Sequence, residues 1–304
     1  EDFSSKELTR TNYTGADLQG TNFTNANLIR ANFADTKMNS KTDFTDATLN
    51  EVKSGGITMF NGNQPTLPDG YKLIDGYIMG SYVDVSGENG LESSNLTNMN
   101  LRGVNLEETV LKNAKLDGVK SRLIKSDDKT QLPDNYVIKD GFLLGPKVDL
   151  VRENLSNLDL TEANLTEANS EGANFSNTKL NNVNFTKTNL KQANLRGANL
   201  TNAQMDSTDI RNADLRDVTF TNTRGENIIF NNETQLPSDY VILKEFLFGP
   251  GVNLKETVLY SRQDPINLSN LLLTGVNFES AKLSYANLTN TTLKDANLKG
   301  ADLD

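Results

Sequence analysis

At 304 residues, with 36% hydrophobic content, no Trp and a mean hydropathy of -0.51, the chain lacks the apolar residues of a conventional large core. With no His and no Cys it has no Ser-His-Asp or Cys-His nucleophile pair, no N/S zinc site and no disulfide. The net charge of -10 is spread evenly, 21 acids against 16 bases up to Leu150 and 19 against 14 after it, which excludes a basic nucleic-acid arm or membrane-surface patch.

Forty-one residues are Asn, a bias that points to a repetitive chain. From the start, large apolar residues fall every fifth place: Phe3, Leu8, Tyr13, Leu18, Phe23, Leu28, Phe33 and Met38, then after a one-residue slip Phe44 and Leu49. This first run, 1–54, stops at Ser54, and a non-repeat insert fills 55–84. A second run, 85–121, carries the period from Leu91 to Leu116 and stops at Ser121, before an insert over 122–149. The third run, 150–225, is unbroken from Leu150 to Phe220 and stops at Gly225. After an insert over 226–253, a fourth run, 254–304, continues from Leu268 to Leu303, and one continuous solenoid is expected overall.

Two places before the central apolar residue stands a small one, such as Ala16, Ala163 or Ala198, and directly before it usually Asn or Asp, so the unit reads A-N/D-L-x-x. A five-residue period would rotate successive apolar positions by about 140 degrees on a helix, and it does not match a strand either. A coil that turns a corner every five residues fits, with the central and small residues inside and four corners closing about twenty residues. Asn and Asp suit such corners because their side chains bond nearby N–H groups. The Asn-x-Ser/Thr matches at Asn12, Asn22, Asn164 and Asn184 then read as by-products of the repeat.

The register resembles that of the pentapeptide-repeat family. The resemblance implies an all-β fold, a right-handed quadrilateral β-helix, here interrupted by three β-hairpin inserts. The inserts align without gaps as TLPDGYKLIDGYIMGSYVDV from Thr66, QLPDNYVIKDGFLLGPKVDL from Gln131 and QLPSDYVILKEFLFGPGVNL from Gln235. Asp75-Gly76 and Asp140-Gly141 are good two-residue hairpin turns, and Lys244-Glu245 a poorer one. The hairpins are expected to lie against the solenoid as spacer layers. Their aromatics, Tyr71, Tyr77, Tyr136, Phe142, Tyr240 and Phe246, are a candidate insert surface, although local packing is the simpler reading. Such Leu-Pro-x-x-Tyr inserts resemble those of long bacterial and viral pentapeptide-repeat proteins.

No catalytic, cofactor or metal residue emerges. Carboxylates such as Asp17, Asp209 and Asp214 stand at places expected to be exposed, and Asp127-Asp128 lacks the ladder of a calcium hand. Lys191 with Arg211, and Arg196 with Arg216, are each twenty residues apart and form short basic ladders, but Asp206, Asp209, Asp214 and Asp217 make the surface mixed. No stretch approaches the roughly 20 apolar residues of a spanning helix, so no membrane insertion is expected.

Solenoids need atypical terminal units to cover the outermost coil, yet Phe3 and Leu8 at one end and Leu298 and Leu303 at the other are in plain register. They are candidate assembly edges. The expectation is a non-enzymatic scaffold, either a piece of a longer chain or a subunit that stacks end to end on copies of itself into a fibre. The partner is protein, with no nucleic acid. The alternative comes from the resemblance: some relatives mimic DNA and bind a topoisomerase such as DNA gyrase. Here a rod of roughly 50 Å would carry about one net charge per 5 Å, thin beside one per 1.7 Å for duplex DNA. Zero Cys favours an extracellular, cell-surface or virion-surface location over the cytoplasm.

Overall fold

A computed structural model describes residues 1–304, apart from the side chain of Asn61. Two compact units divide the chain, Glu1–Leu144 and Gly145–Asp304. Each is a stack of four-sided coils. In the second unit, parallel bridges join residues twenty apart on all four sides, as in Asp149↔Asn169, Asn154↔Asn174, Asp159↔Lys179 and Asn164↔Asn184. In the first unit the ladder begins Asp2↔Asn22 and widens to twenty-one across the slip, at Asn22↔Asp43. On one side it is long enough to form strands, β1 (Lys37–Met38) parallel to β2 (Thr58–Met59). Helix is confined, among the described residues, to one 3-10 turn, Phe60–Gly62.

The five residues Asn194 to Ala198 show why the repeat closes. Leu195 and Gly197 donate forward to the next coil, to the carbonyls of Asp214 at 2.8 Å and Arg216 at 3.0 Å. Asn194 donates back to Ala173 at 2.9 Å, and Ala198 closes the turn onto Leu195 at 2.9 Å. The fifth N–H, on Arg196, donates to Asn194 Oδ1 at 3.0 Å. Asn12, Asn22, Asn32, Asn174, Asn199 and Asp214 serve the residue two places on in the same way. An unmet backbone donor is costly, and this acceptor role explains the Asn residues directly before the centre, while others, such as Asn25 and Asn202, stand at left-handed corners.

The corner itself differs from the sequence-based expectation. It falls not on the Asn or Asp before the centre but on the second residue after it, which is left-handed: Asn25 at φ 58°, Arg30 at 61°, Gln192 at 58° and Gly197 at 70°. That conformation costs a non-glycine residue about 1–2 kcal/mol. It turns the N–H along the coil axis toward its forward acceptor, and the bond offsets the cost.

Inside, Phe175, Leu195 and Leu215 form a fully buried column beside Ala173, Ala193 and Ala213. Leu165 is also fully buried, and Leu288 is half-buried. Where Thr takes the small place, its hydroxyl donates to the central carbonyl of the preceding coil, Thr178 to Leu155, Thr188 to Leu165 and Thr208 to Phe185, at 2.6–2.8 Å. The first unit stacks rings instead, Phe3 on Phe23 at 5.6 Å and Phe23 on Phe44 at 4.9 Å. Ser170 is the exception: a serine at a central place, fully buried, whose hydroxyl has no partner.

The one-residue slip has its own device. Asn39 Oδ1 accepts from the Gly20 corner N–H at 3.1 Å, replacing a forward carbonyl, while Thr42 Oγ1 donates to Leu18 at 2.8 Å. The same pair recurs in two inserts, Asp127 with Thr130 and Asn231 with Thr234, serving the Glu108 and Asn212 corners at 2.9 Å.

The inserts fold as antiparallel hairpins in matching register: β3 (Lys72–Ile74) with β4 (Tyr77–Met79), β5 (Val137–Lys139) with β6 (Phe142–Leu144), and β7 (Val241–Leu243) with β8 (Phe246–Phe248). Both residues of every turn have positive φ, including Lys244 at 48° and Glu245 at 67°. The first hairpin lies within the interior rather than outside it. Leu73 and Ile78 pack with the core built from Leu18 to Ile57, whereas Tyr77 and Met79 pack with the core built from Val83 to Leu143. β4 is therefore a partition buried on both faces.

The small residues that end the runs receive these hairpins. The Ile78 N–H donates to Ser54 Oγ at 2.9 Å, the Leu143 N–H to Ser121 Oγ at 2.8 Å, and the Leu247 N–H to the Gly225 carbonyl at 3.2 Å. At the tips, the carbonyls of Gly76, Gly141 and Glu245 accept from Ile57, Ile124 and Ile228 at 2.9–3.1 Å.

Candidate interaction surfaces

The insert aromatics pack rather than project. A side chain on Gly80 would begin 2.3 Å from the Tyr71 ring, and one on Gly249 would begin 2.2 Å from Tyr240. Each ring thus fills the space of a missing central side chain, and its hydroxyl donates to a following carbonyl, Ser81 or Pro250, at 2.9 Å. Tyr136 is half-buried, its pKa pushed up to about 12 by burial and by the charge of Asp117. Tyr77 and Phe142 are buried and Phe246 is half-buried. The Tyr77 hydroxyl donates to Glu88 Oε2 at 2.9 Å; burial first, and then that carboxylate, raise its pKa.

Phe3, Leu8 and Leu298 are half-buried and Leu303 is 50% exposed. The coil-to-coil pattern gives the two ends complementary groups. The central and corner N–H groups of the last coil face forward, and the N–H groups of Asp2, Glu7, Asn12 and Asp17 face back; none has a backbone acceptor among the described residues. A cavity of about 630 Å³ opens at the first coil, lined by Phe3, Tyr13, Ala16, Asp17 and Leu18. No helix is long and apolar enough to cross a membrane, and no group of three potential metal-ligating side chains exists among the described residues.

The basic ladders are taken up by carboxylates. Asp209, expected to be exposed, is only 9% exposed, because Arg211 grips it at 2.7 and 3.0 Å and Lys191 lies at 3.4 Å. Burial works against its charge, yet Arg211 and Lys191 hold its pKa below the usual range. Arg216 pairs with Asp214 at 2.7 Å, Arg196 with Asp217 at 2.9 Å and Arg224 with Glu226 at 2.7 Å. Asp127, whose surroundings in the sequence lack the ladder of a calcium hand, accepts four donors from Glu108, Lys129 and Thr130.

One surface was not anticipated. In the second unit Ile229, Phe230, Val258, Tyr260, Tyr285 and Leu303 are all exposed. The five-residue register assigns them to one side. Leu254 follows Gly225 one coil on, since the Asn253 N–H bonds Thr223, so Leu259 follows Phe230, and Val258 in turn bridges Lys282. The signal was present in the sequence: Val258 occupies a place usually held by Asn or Asp, and Tyr285 occupies a corner at φ 66°.

The pentapeptide-repeat profile matches eight copies, over residues 7–50, 91–120, 154–192, 184–222 and 272–304, together more than half of the chain. The chain belongs to the pentapeptide-repeat family. Its coils are accordingly those of the right-handed quadrilateral β-helix. Among solved structures it is similar to HetL, a pentapeptide-repeat protein involved in heterocyst differentiation regulation in Nostoc, at 20% identity over 97% of this chain and 91% of that one, with a TM-score of 0.24. It is also similar to Rfr23 from Cyanothece, at 19% identity over 51% and 86%, with a TM-score of 0.26. A third is QnrB1, a plasmid-mediated fluoroquinolone resistance protein, at 15% identity over 74% and 91%, with a TM-score of 0.23. No curated protein matches the chain. At these scores the family assignment rests on the repeat itself.

Proposed function

We propose that this pentapeptide-repeat chain is a non-enzymatic interaction scaffold that stacks end to end through its coil edges, in an exported or surface setting. The observation that carries the reading is the complementarity of those edges. The last coil presents the forward donors that a regular interior coil gives its neighbour, and the first coil presents the groups that receive them. Stacking the Leu298 and Leu303 rungs on Phe3 and Leu8 removes apolar area from water and pairs free backbone groups. The two sides of the contact differ, so it is heterologous and propagates unless it closes a ring.

Sedimentation and electron microscopy of residues 1–304 test this. Concentration-dependent rods are expected, lost in Leu298→Lys with the β-sheet signal kept. A dispersed monomer at high concentration, or further ordered residues covering these edges in a longer chain, sinks the assembly mechanism. DNA mimicry is the second reading: it comes from the family resemblance, and the net charge of -10 has the sign it needs but is thin for a duplex. Ion pairing along the third run weighs against it, because a duplex-like surface needs unpaired anions. It requires salt-sensitive inhibition of topoisomerase supercoiling.

A further inference from the structure

Tyr260 and Tyr285 lie on adjacent coils of the exposed apolar side, with ring centroids 5.7 Å apart and planes tilted by 42°. They are 47% and 50% exposed, and the chain's other six tyrosines are buried or half-buried. The chain also lacks the side chains that usually intercept oxidants. It has no Cys, Trp or His, and of its five Met residues Met38, Met79, Met99 and Met205 are buried. Thioether oxidation needs access to sulfur, so oxidising equivalents that reach this surface meet the tyrosine pair first.

The pair also sits where the backbone ladder lapses. Leu259 donates to Lys282 at 2.9 Å, and the next forward bond is that of Leu268 to Asn287 at 2.9 Å. Residues 260–265 make no coil-to-coil backbone bond among the described residues. The ring contact spans that gap.

We propose that Tyr260 and Tyr285 are a site of oxidative cross-linking, coupling to an intrachain dityrosine under a heme peroxidase with hydrogen peroxide. Each phenol gives up one electron and its hydroxyl proton. The two radicals join through a carbon–carbon bond between ring positions ortho to the hydroxyls, and the two displaced ring hydrogens return to the phenolic oxygens. One peroxide is reduced to two waters. Because the rings are already held in contact, coupling is an intramolecular step and outruns encounters between chains.

Peroxidase treatment of the full chain, followed by trypsin and mass spectrometry, tests the site. Expected is a coupled pair of peptides, Glu256–Arg262 with Leu283–Lys294, two hydrogens lighter than their sum, in a yield that does not fall on dilution. Tyr285→Phe and Tyr260→Phe should each abolish this species. A wild-type chain nicked by brief trypsin at Arg262 should remain one covalent species on a denaturing gel after oxidation, and separate without it. Recovery of both peptides unlinked, coupling found only between chains, or coupling that survives in either folded Phe variant overturns the proposal.

Discussion

The third run, 150–225, and the hairpin inserts solve the same closure problem by different means. In the run each task belongs to a fixed place: the central side chain fills the interior, the residue before it bonds the stray N–H, and the second after it turns the corner. In the inserts the tasks remain but the suppliers change. A tyrosine ring from the hairpin stands in for the side chain that Gly80 and Gly249 lack. Ser54 and Ser121 hydroxyls receive strand N–H groups. Carboxylate or carboxamide oxygens at Asp127 and Asn231 replace forward carbonyls, as Asn39 does at the slip in the first run. The requirements of a coil are thus geometric rather than tied to residue type, and an insertion is tolerated when some group meets each one.

The largest test of this comparison is Leu195→Ala in the run, which should cost about 2–5 kcal/mol in urea unfolding because the rigid column cannot collapse. A near-neutral result would mean that the run is not closely packed. Gly80→Ala should cost about 1–3 kcal/mol by overpacking against Tyr71. In a Tyr71→Ala background the same change should cost much less, and a simple additive loss would remove the idea that ring and glycine form one packing unit. Smaller gains are expected where the chain departs from its own rules. Glu245→Gly relieves a left-handed non-glycine at a hairpin turn and should stabilise by up to about 1 kcal/mol. Ser170→Ala removes a buried unpaired hydroxyl and should stabilise by a similar amount, about 1 kcal/mol. Melting curves that place either variant below the wild type would contradict these assignments.

Acid should act most weakly. Asp214 has its pKa lowered chiefly by the Arg216 hydrogen bond, and Asp209 by Arg211 and Lys191 against its own burial. A depressed folded pKa gives stability that is present above the ordinary carboxylate range and lost as pH falls through the folded value. A thermal melt series should therefore be flat near neutrality and decline only below about pH 4. A decline beginning near neutral pH would contradict these pairings.

Most of the coil was legible because its rules repeat. Leu165 or Phe175 could be assigned to the interior from spacing alone, and the hairpins followed from three aligned Leu-Pro-x-x-Tyr segments. The corner was misplaced because Asn is common both before the centre and two places after it, so composition does not separate the N–H acceptor from the left-handed turn. Asp209 was expected to be exposed because spacing places it on the surface but does not show that Arg211, two places on, and Lys191, on the neighbouring coil, fold over it together. The apolar side at Val258, Tyr260 and Tyr285 was missed because it joins coils more than twenty residues apart in the chain, and each member alone looks like an ordinary surface residue.

β4 has a consequence for how the first unit comes apart. A strand with Ile78 facing one core and Met79 facing the other acts as a bulkhead between two compartments of a one-dimensional stack. Disorder entering from the Phe3 coil can travel only along contacts between neighbouring layers, and at this layer it meets a sheet held by hydrogen bonds of its own. Amide exchange should accordingly fall into blocks whose border is the hairpin, with the layers beyond it opening later and as a group.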